Sequence, residues 1–243
     1  MKESKLPWRI RRSRGQSLVE LALMAPILLL ILSGLFEFGF LFNHYLAVLD
    51  AARNSSRFAS DSWYDTWDED KSCGSTKDFY RQAACLAVFE LASEHPTIDL
   101  CLPPGKGTPD CPTGGWATYD DVIVSVFSVL RVGSAPGDAV ITRFPDDGCA
   151  GYGWSMAADM QGSDQCVAAD RTGLHASRFS IADIQGRLVS GGPNTGFVLV
   201  EINNNYNQVL GLPWFTQFVG DPVPLYIYAL WPLVSAEPTP TPS

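Results

Sequence analysis

Histidine is scarce in this chain. His44, His95 and His175 are its only three, and none stands at metal-ligand spacing from another ligand. A zinc-type centre is therefore not expected, and neither a metal nor a cofactor enters the reading. Positive charge is scarce from residue 50 onward, where 11 Lys/Arg face 23 Asp/Glu. That deficit opposes phosphate contacts and excludes a nucleic-acid-binding role for this part of the chain. Cysteine is missing from the first 72 residues, charge is almost missing between Leu18 and Phe42, and no internal repeat occurs. Disorder of the whole chain is excluded too, because 46% hydrophobic content over 243 residues is enough for a real core.

What is present begins with the apolar run itself. Leu18 to Phe42 is 25 residues whose only charged members are Glu20 and Glu37, about 37 Å as a helix and long enough to cross a hydrocarbon core. Lys2, Lys5, Arg9, Arg11, Arg12 and Arg14 precede it. The positive-inside rule then puts the N-terminus in the cytoplasm and everything after Phe42 outside. Pro26 lies inside the run and cannot donate a backbone bond to Ala22, so a kink or loosened turn is expected there.

All six cysteines (Cys73, Cys85, Cys101, Cys111, Cys149 and Cys166) follow the apolar run. An even number in an oxidising compartment reads as three disulfides. Six cysteines allow 15 pairings; the local set, Cys73–Cys85, Cys101–Cys111 and Cys149–Cys166, is the expectation.

Phe38, Leu41, Phe42, Tyr45, Leu46 and Leu49 repeat at helical spacing, while Asn43, His44 and Asp50 fall elsewhere. The pattern predicts one long helix over 18–58 with its sticky stripe on the apolar side. An acidic, tryptophan-bearing loop (61–70) follows, then a second helix opened by Ser75 and Asp78, carrying Phe79, Ala83, Leu86 and Phe89, and ended by His95-Pro96. Tyr119–Val132 and Val140–Phe144 read as a strand and its hairpin partner. Residues 100–115 and 145–170 read as loops, Ser180–Val189 as a short helix, Gly196–Asn203 and Val223–Leu233 as strands. The fold class is α+β: a long N-terminal transmembrane helix leading into a small antiparallel sheet packed with helices on one side and stapled by disulfides.

Two motifs suggest other chemistry. Gly153-Trp154-Ser155-Met156-Ala157 approximates a nucleophile elbow but lacks the final glycine and follows no predicted strand. Asp61, Asp65, Asp68, Glu69 and Asp70 crowd together, yet their spacing matches no calcium loop, and a solvated acidic loop is the simpler reading. The N-terminus has competing readings as well. A secretory signal has a shorter apolar core and a small-x-small cleavage site, and a twin-arginine signal starting at Arg11-Arg12 lacks its usual context. A plain anchor leaves Glu20 unexplained.

With Arg14, Gly15, Glu20 and the apolar run in place, the segment resembles a type IV prepilin signal. It is most similar to the TadE-like pseudopilins of the tight-adherence (Tad/Flp) pilus system, with TadG-like proteins sharing a similar N-terminus. The likeness lies in RGQSLVELALMAPILLLILSGLFEFGFLF followed by AARNSSRFA, about residues 11 to 60. The resemblance implies cleavage after Gly15 by a prepilin peptidase, an aspartic protease of the membrane, which leaves Gln16 as the new N-terminus. It implies recognition through Arg14, Gly15, Gln16 and Glu20, and pairing of Glu20 with the α-amine of Gln16 in an adjacent subunit. The implied partners are the peptidase, other pilins or pseudopilins, and the inner-membrane assembly platform. The resulting organisation is a cytoplasmic leader (1–15), a transmembrane and extended helix (16–58), an extracytoplasmic head (59–235) and a Pro/Thr-rich tail (236–243). Assembly, not catalysis, is the expected role; the rival is a cell-surface enzyme or ligand-binding domain on an uncleaved anchor.

Overall fold

The computed structural model describes residues 16–62, 79–94, 120–133, 135–145, 153–161, 175–190, 192 and 194–233. Helix α1, Gln16–Ser60, is a single element of 45 residues, about 67 Å long. It continues through Pro26, whose missing N–H removes one backbone bond without ending the helix. Its first half is long and apolar enough to cross a membrane, by length and composition. Helix α2, Phe79–Glu94, lies against the second half of α1. The small residues Ala51, Ala52 and Ser55 on α1 and Ala83, Ala84 and Ala87 on α2 are all buried. Small side chains let the two backbones approach, and Ser55 Oγ donates to the Ala83 carbonyl at 2.5 Å.

Five strands form one antiparallel sheet. Strands β1 (Asp121–Arg131), β2 (Ala139–Phe144), β4 (Thr195–Tyr206) and β5 (Val223–Pro232) lie in the order β2-β1-β4-β5. The two-residue β3 (Trp154–Ser155) pairs with Ile123 and Val124 of β1, on the edge that β2 leaves open beyond Val126. The hairpin pairing of β1 with β2 matches the sequence expectation.

Strand alternation separates two cores. Val122, Val124 and Val126 of β1, Val198, Val200 and Ile202 of β4, and Ile227 and Ala229 of β5 face α1 and α2. Phe127, Val129, Phe197 and Leu199 face the other way, where Phe179 and Ile184 cover them. Ile184 belongs to α4, Ile181–Gln185, so helices lie on both faces of the sheet, not one. The α4 segment is shorter than its 180–189 expectation and begins on a capping box, Ser180 with Asp183. The exposed Asp183 carboxyl is held below its usual range by hydrogen bonds from the Ser180 side chain and backbone.

Of the stripe on α1, Phe38, Phe42, Tyr45 and Leu46 face outward and Leu49 packs against the core, while Glu37, His44, Val48, Ala51, Ala52 and Ser55 turn inward. Periodicity finds the apolar side of a helix, not the side that its own chain covers. Two further departures from expectation have physical causes. On α2, Phe79 and Ala83 are buried as expected, whereas Phe89 is 59% exposed and Leu91 is buried. Within the supposed loop 145–170 the structure holds β3 and α3, Met156–Gln161, elements too short for a periodicity to register. Ser75, Asp78, His95 and Pro96 lie outside the described residues.

Candidate functional site

The residues that the sequence singles out at the N-terminus divide in two. Arg14 and Gly15 lie outside the described residues, Gln16 is the first residue of α1, and Glu20 stands on its exposed surface one turn later. Leu18 and Leu21 beside it, and Leu28 and Leu35 further along the helix, expose about two thirds of their area. Cys85 is buried on α2 and is not a free thiol; Cys73, Cys101, Cys111, Cys149 and Cys166 lie outside the described residues, as do Asp65, Asp68, Glu69 and Asp70.

Higher on α1 the structure brings together a polar junction. Glu37, 0% exposed, accepts hydrogen bonds from the consecutive backbone N–H groups of Val209 and Leu210, both at 2.8 Å. The Tyr206 hydroxyl donates to the same carboxylate at 3.2 Å. The site exists because β4 ends at Tyr206 beside α1, and the chain then turns down along the helix. Burial, then the nearby Glu37 charge and its hydrogen bond, push the Tyr206 hydroxyl up to about 12.

Two turns above Glu37, His44 Nε2 pairs with Asn204 Oδ1. Asn204 Nδ2 donates to Asp120 at 2.6 Å, and Asp120 also accepts from the Asn205 N–H at 2.7 Å. Because the Asn204 amide nitrogen is spent on Asp120, its oxygen faces the imidazole, and His44 Nε2 must carry the proton. The His44 and Tyr206 rings lie 5.1 Å apart, closing the row. The stem is therefore joined to the head through Glu37 and His44, on the same face of α1 that becomes purely small and apolar at Val48, Ala51 and Ala52.

One turn below Glu37, Gly34 meets Trp214. A Cβ at residue 34 would lie 2.7 Å from the indole, so any other residue would push the tryptophan off its seat. Trp214 belongs to α5, Pro213–Val219. The sequence reading missed both halves of this junction. A signal for each exists: Glu37 is a second carboxylate in an apolar run, and residues 202–220 form 19 residues without a charge, with Trp214, Phe215 and Phe218 inside them.

The alternative chemistries look different in place. Ser155 does end a short strand and directly precede a helix, against expectation. Its hydroxyl, fully buried, donates to Asp121 at 2.6 Å and accepts from the Ala158 N–H at 3.1 Å, which makes it the N-terminal cap of α3. Asp121 also takes the Ala157 N–H at 3.0 Å, and Arg81 of α2 reaches Asp159 of α3 with its Nε at 2.9 Å. Gly153, at φ +76°, is enclosed by Ser125, Arg143 and Ile123; any side chain there would clash. These residues fasten α3 to the sheet. Among the described residues no group of three or more His, Cys, Asp or Glu could hold a metal ion.

No curated protein and no solved structure matches the chain. Residues 15–57, which carry both Glu20 and Glu37 and nearly the whole of α1, match the family model of TadE-like proteins.

Proposed function

We propose that the chain is a minor, pilin-like subunit of Tad/Flp pilus assembly, acting by subunit packing. The N-terminus is cytoplasmic, α1 is the single membrane span, and the head is extracytoplasmic. A prepilin peptidase cleaves after Gly15, where a side chain would obstruct the scissile bond. The leader is 1–15, the stem 16–58, the head 59–235 and the tail 236–243. In the head, Cys73–Cys85, Cys101–Cys111 and Cys149–Cys166 form disulfides. The partners are the peptidase, other pilins or pseudopilins, and the inner-membrane platform.

The observation that carries this reading is the uneven use of α1. Above Glu37 one face of the helix is committed to its own head; below it the apolar side chains are exposed on every side. A stem of that kind has surface left for lipid and for neighbouring stems, and it is the part that matches the TadE-like family. Glu20, within the exposed part, then acts as a height mark. A carboxylate near the centre of a bilayer costs roughly 2.5–3.5 kcal/mol, less at the interface. The α-amine of Gln16 in an adjacent subunit compensates it only at the correct axial offset, and a subunit at the wrong height leaves two charges in a low dielectric.

Two substitutions separate the steps. Gly15→Leu should block processing. Glu20→Leu should be processed and inserted but lost from the assembly. Normal incorporation of Glu20→Leu would end the charge-pairing account and make Glu20 a peptidase recognition residue instead.

A further inference from the structure

The chain has no charge from residue 202 to residue 220, and the part of this stretch that follows β4 stands open to its surroundings. Phe218 is 86% exposed and Val209 60%, with Leu210 and Val219 also exposed. In water such a surface costs free energy, because large apolar groups are left unburied. The backbone of α5 is hydrogen-bonded within its own segment. Thr216 turns its hydroxyl back onto the Leu212 carbonyl at 2.9 Å, and the Phe215, Thr216 and Gly220 N–H groups are bonded within the same segment. A backbone closed on itself in this way is what an apolar medium demands.

The position of α5 along α1 is fixed twice. Trp214 sits on Gly34, and Glu37 holds the Val209 and Leu210 N–H groups. Gly34 lies 16 residues beyond Leu18, about 24 Å along the helix, and Glu37 about 28 Å. A hydrocarbon core is about 30 Å thick. A span that begins at Leu18 thus reaches the far boundary of the core at the level of Trp214, Phe215 and Phe218. The exposed flank of α1 at that level, Leu35, Phe36 and Phe38, continues the same apolar belt.

We infer that α5 with Val209–Leu212 is a foot that the head sets into the outer boundary of the bilayer around its own stem, taking phospholipid as its ligand. This rests on the reading of α1 as a membrane span. Tryptophan and phenylalanine at the boundary between headgroups and acyl chains suit such a role. The absence of charge in 202–220 makes the contact apolar, so zwitterionic lipid suffices. The foot fixes the tilt and height of the head before assembly, and it must leave the bilayer when the subunit joins a fibre.

The test uses the full chain reconstituted in phosphatidylcholine vesicles, with a photoreactive diazirine amino acid placed at Leu28, Phe218 or Val132 in turn. Val132 is an exposed apolar residue at the opposite end of the sheet from Tyr206. After irradiation, mass spectrometry should find phospholipid adducts at Leu28 and at Phe218 and none at Val132. Adducts at Leu28 without adducts at Phe218, or cross-links from Phe218 to protein alone, would overturn the foot and leave the span standing. Absence of lipid at Leu28 would overturn the span, and the foot with it.

Discussion

The two halves of α1 share one continuous backbone and opposite rules of burial. Below Glu37, leucine, isoleucine and phenylalanine side chains of α1 are exposed, and Trp214 rests on the helix at Gly34. Above it, the inward face holds a carboxylate, an imidazole, alanines and serines, while Phe42, Tyr45 and Leu46 still point outward. Hydrophobicity alone does not decide which side of a helix is covered. The covered side is the one whose shape and hydrogen bonds the partner can match: α2 matches the small residues, and the end of β4 with the turn after it matches Glu37.

The largest expected effect separates the halves by oxidation state. If the head is closed by three disulfides, each should contribute about 3 kcal/mol in the chain-entropy model, a large share of the stability of a domain of this size. Reduction should unfold the head while leaving the lower half of α1 helical in the membrane, as read by hydrogen exchange. Retention of native head protection after complete reduction would show that the bridges are not structural.

Next in size is the junction. Glu37→Leu leaves the Val209 and Leu210 N–H groups without their acceptor, a loss of about 2–3 kcal/mol, since bonds to a charged group are worth roughly 1.5–3 kcal/mol each and water recovers part. The amides of Val209 and Leu210 should exchange faster, with that of Leu28 unchanged. A smaller effect comes from overfilling the α1–α2 contact. Ala52→Leu should cost about 1–3 kcal/mol, whereas Leu28→Ala should change head stability by less than about 0.5 kcal/mol. Equal effects in thermal unfolding would erase the distinction between the halves.

The smallest concerns Tyr206. Its hydroxyl is raised in the fold to about 12 from an ordinary value near 10, so the folded state holds the proton more tightly than the unfolded chain. Its contribution is complete below about pH 10 and is lost as pH rises toward 12. Tyr206→Phe should lower stability at pH 8 by about 1–2 kcal/mol and flatten the alkaline loss measured by denaturant unfolding. An unchanged alkaline slope would remove Tyr206 as its source.

Much of the architecture was legible in the chain. Val122, Val124 and Val126 alternate with polar or differently buried neighbours, and the β-branched run made β1 and its hairpin plain. The long helix was plain from length and apolarity. What escaped were the short elements and the direction of α1. Trp154 and Ser155 pair only through tertiary contact with β1, and α3 rests on a cap whose second member, Asp121, is 34 residues away. The junction escaped because Glu37 and Val209 are brought together by the end of β4, a meeting that no local pattern encodes. Glu20 is conspicuous in the sequence because it stands five residues after the Arg14-Gly15 pair at the start of the apolar run. Glu37 had a reason for notice too, a carboxylate in an apolar helix that must find donors.

The central claim, that α1 is a processed stem built for neighbours below and for its own head above, is tested most directly at its first residue. Mass spectrometry of the protein recovered from membranes carrying the Tad machinery should read a mature N-terminus at Gln16. A chain beginning at Met1, or at Lys2 after methionine removal, would contradict the account and return α1 to an uncleaved anchor.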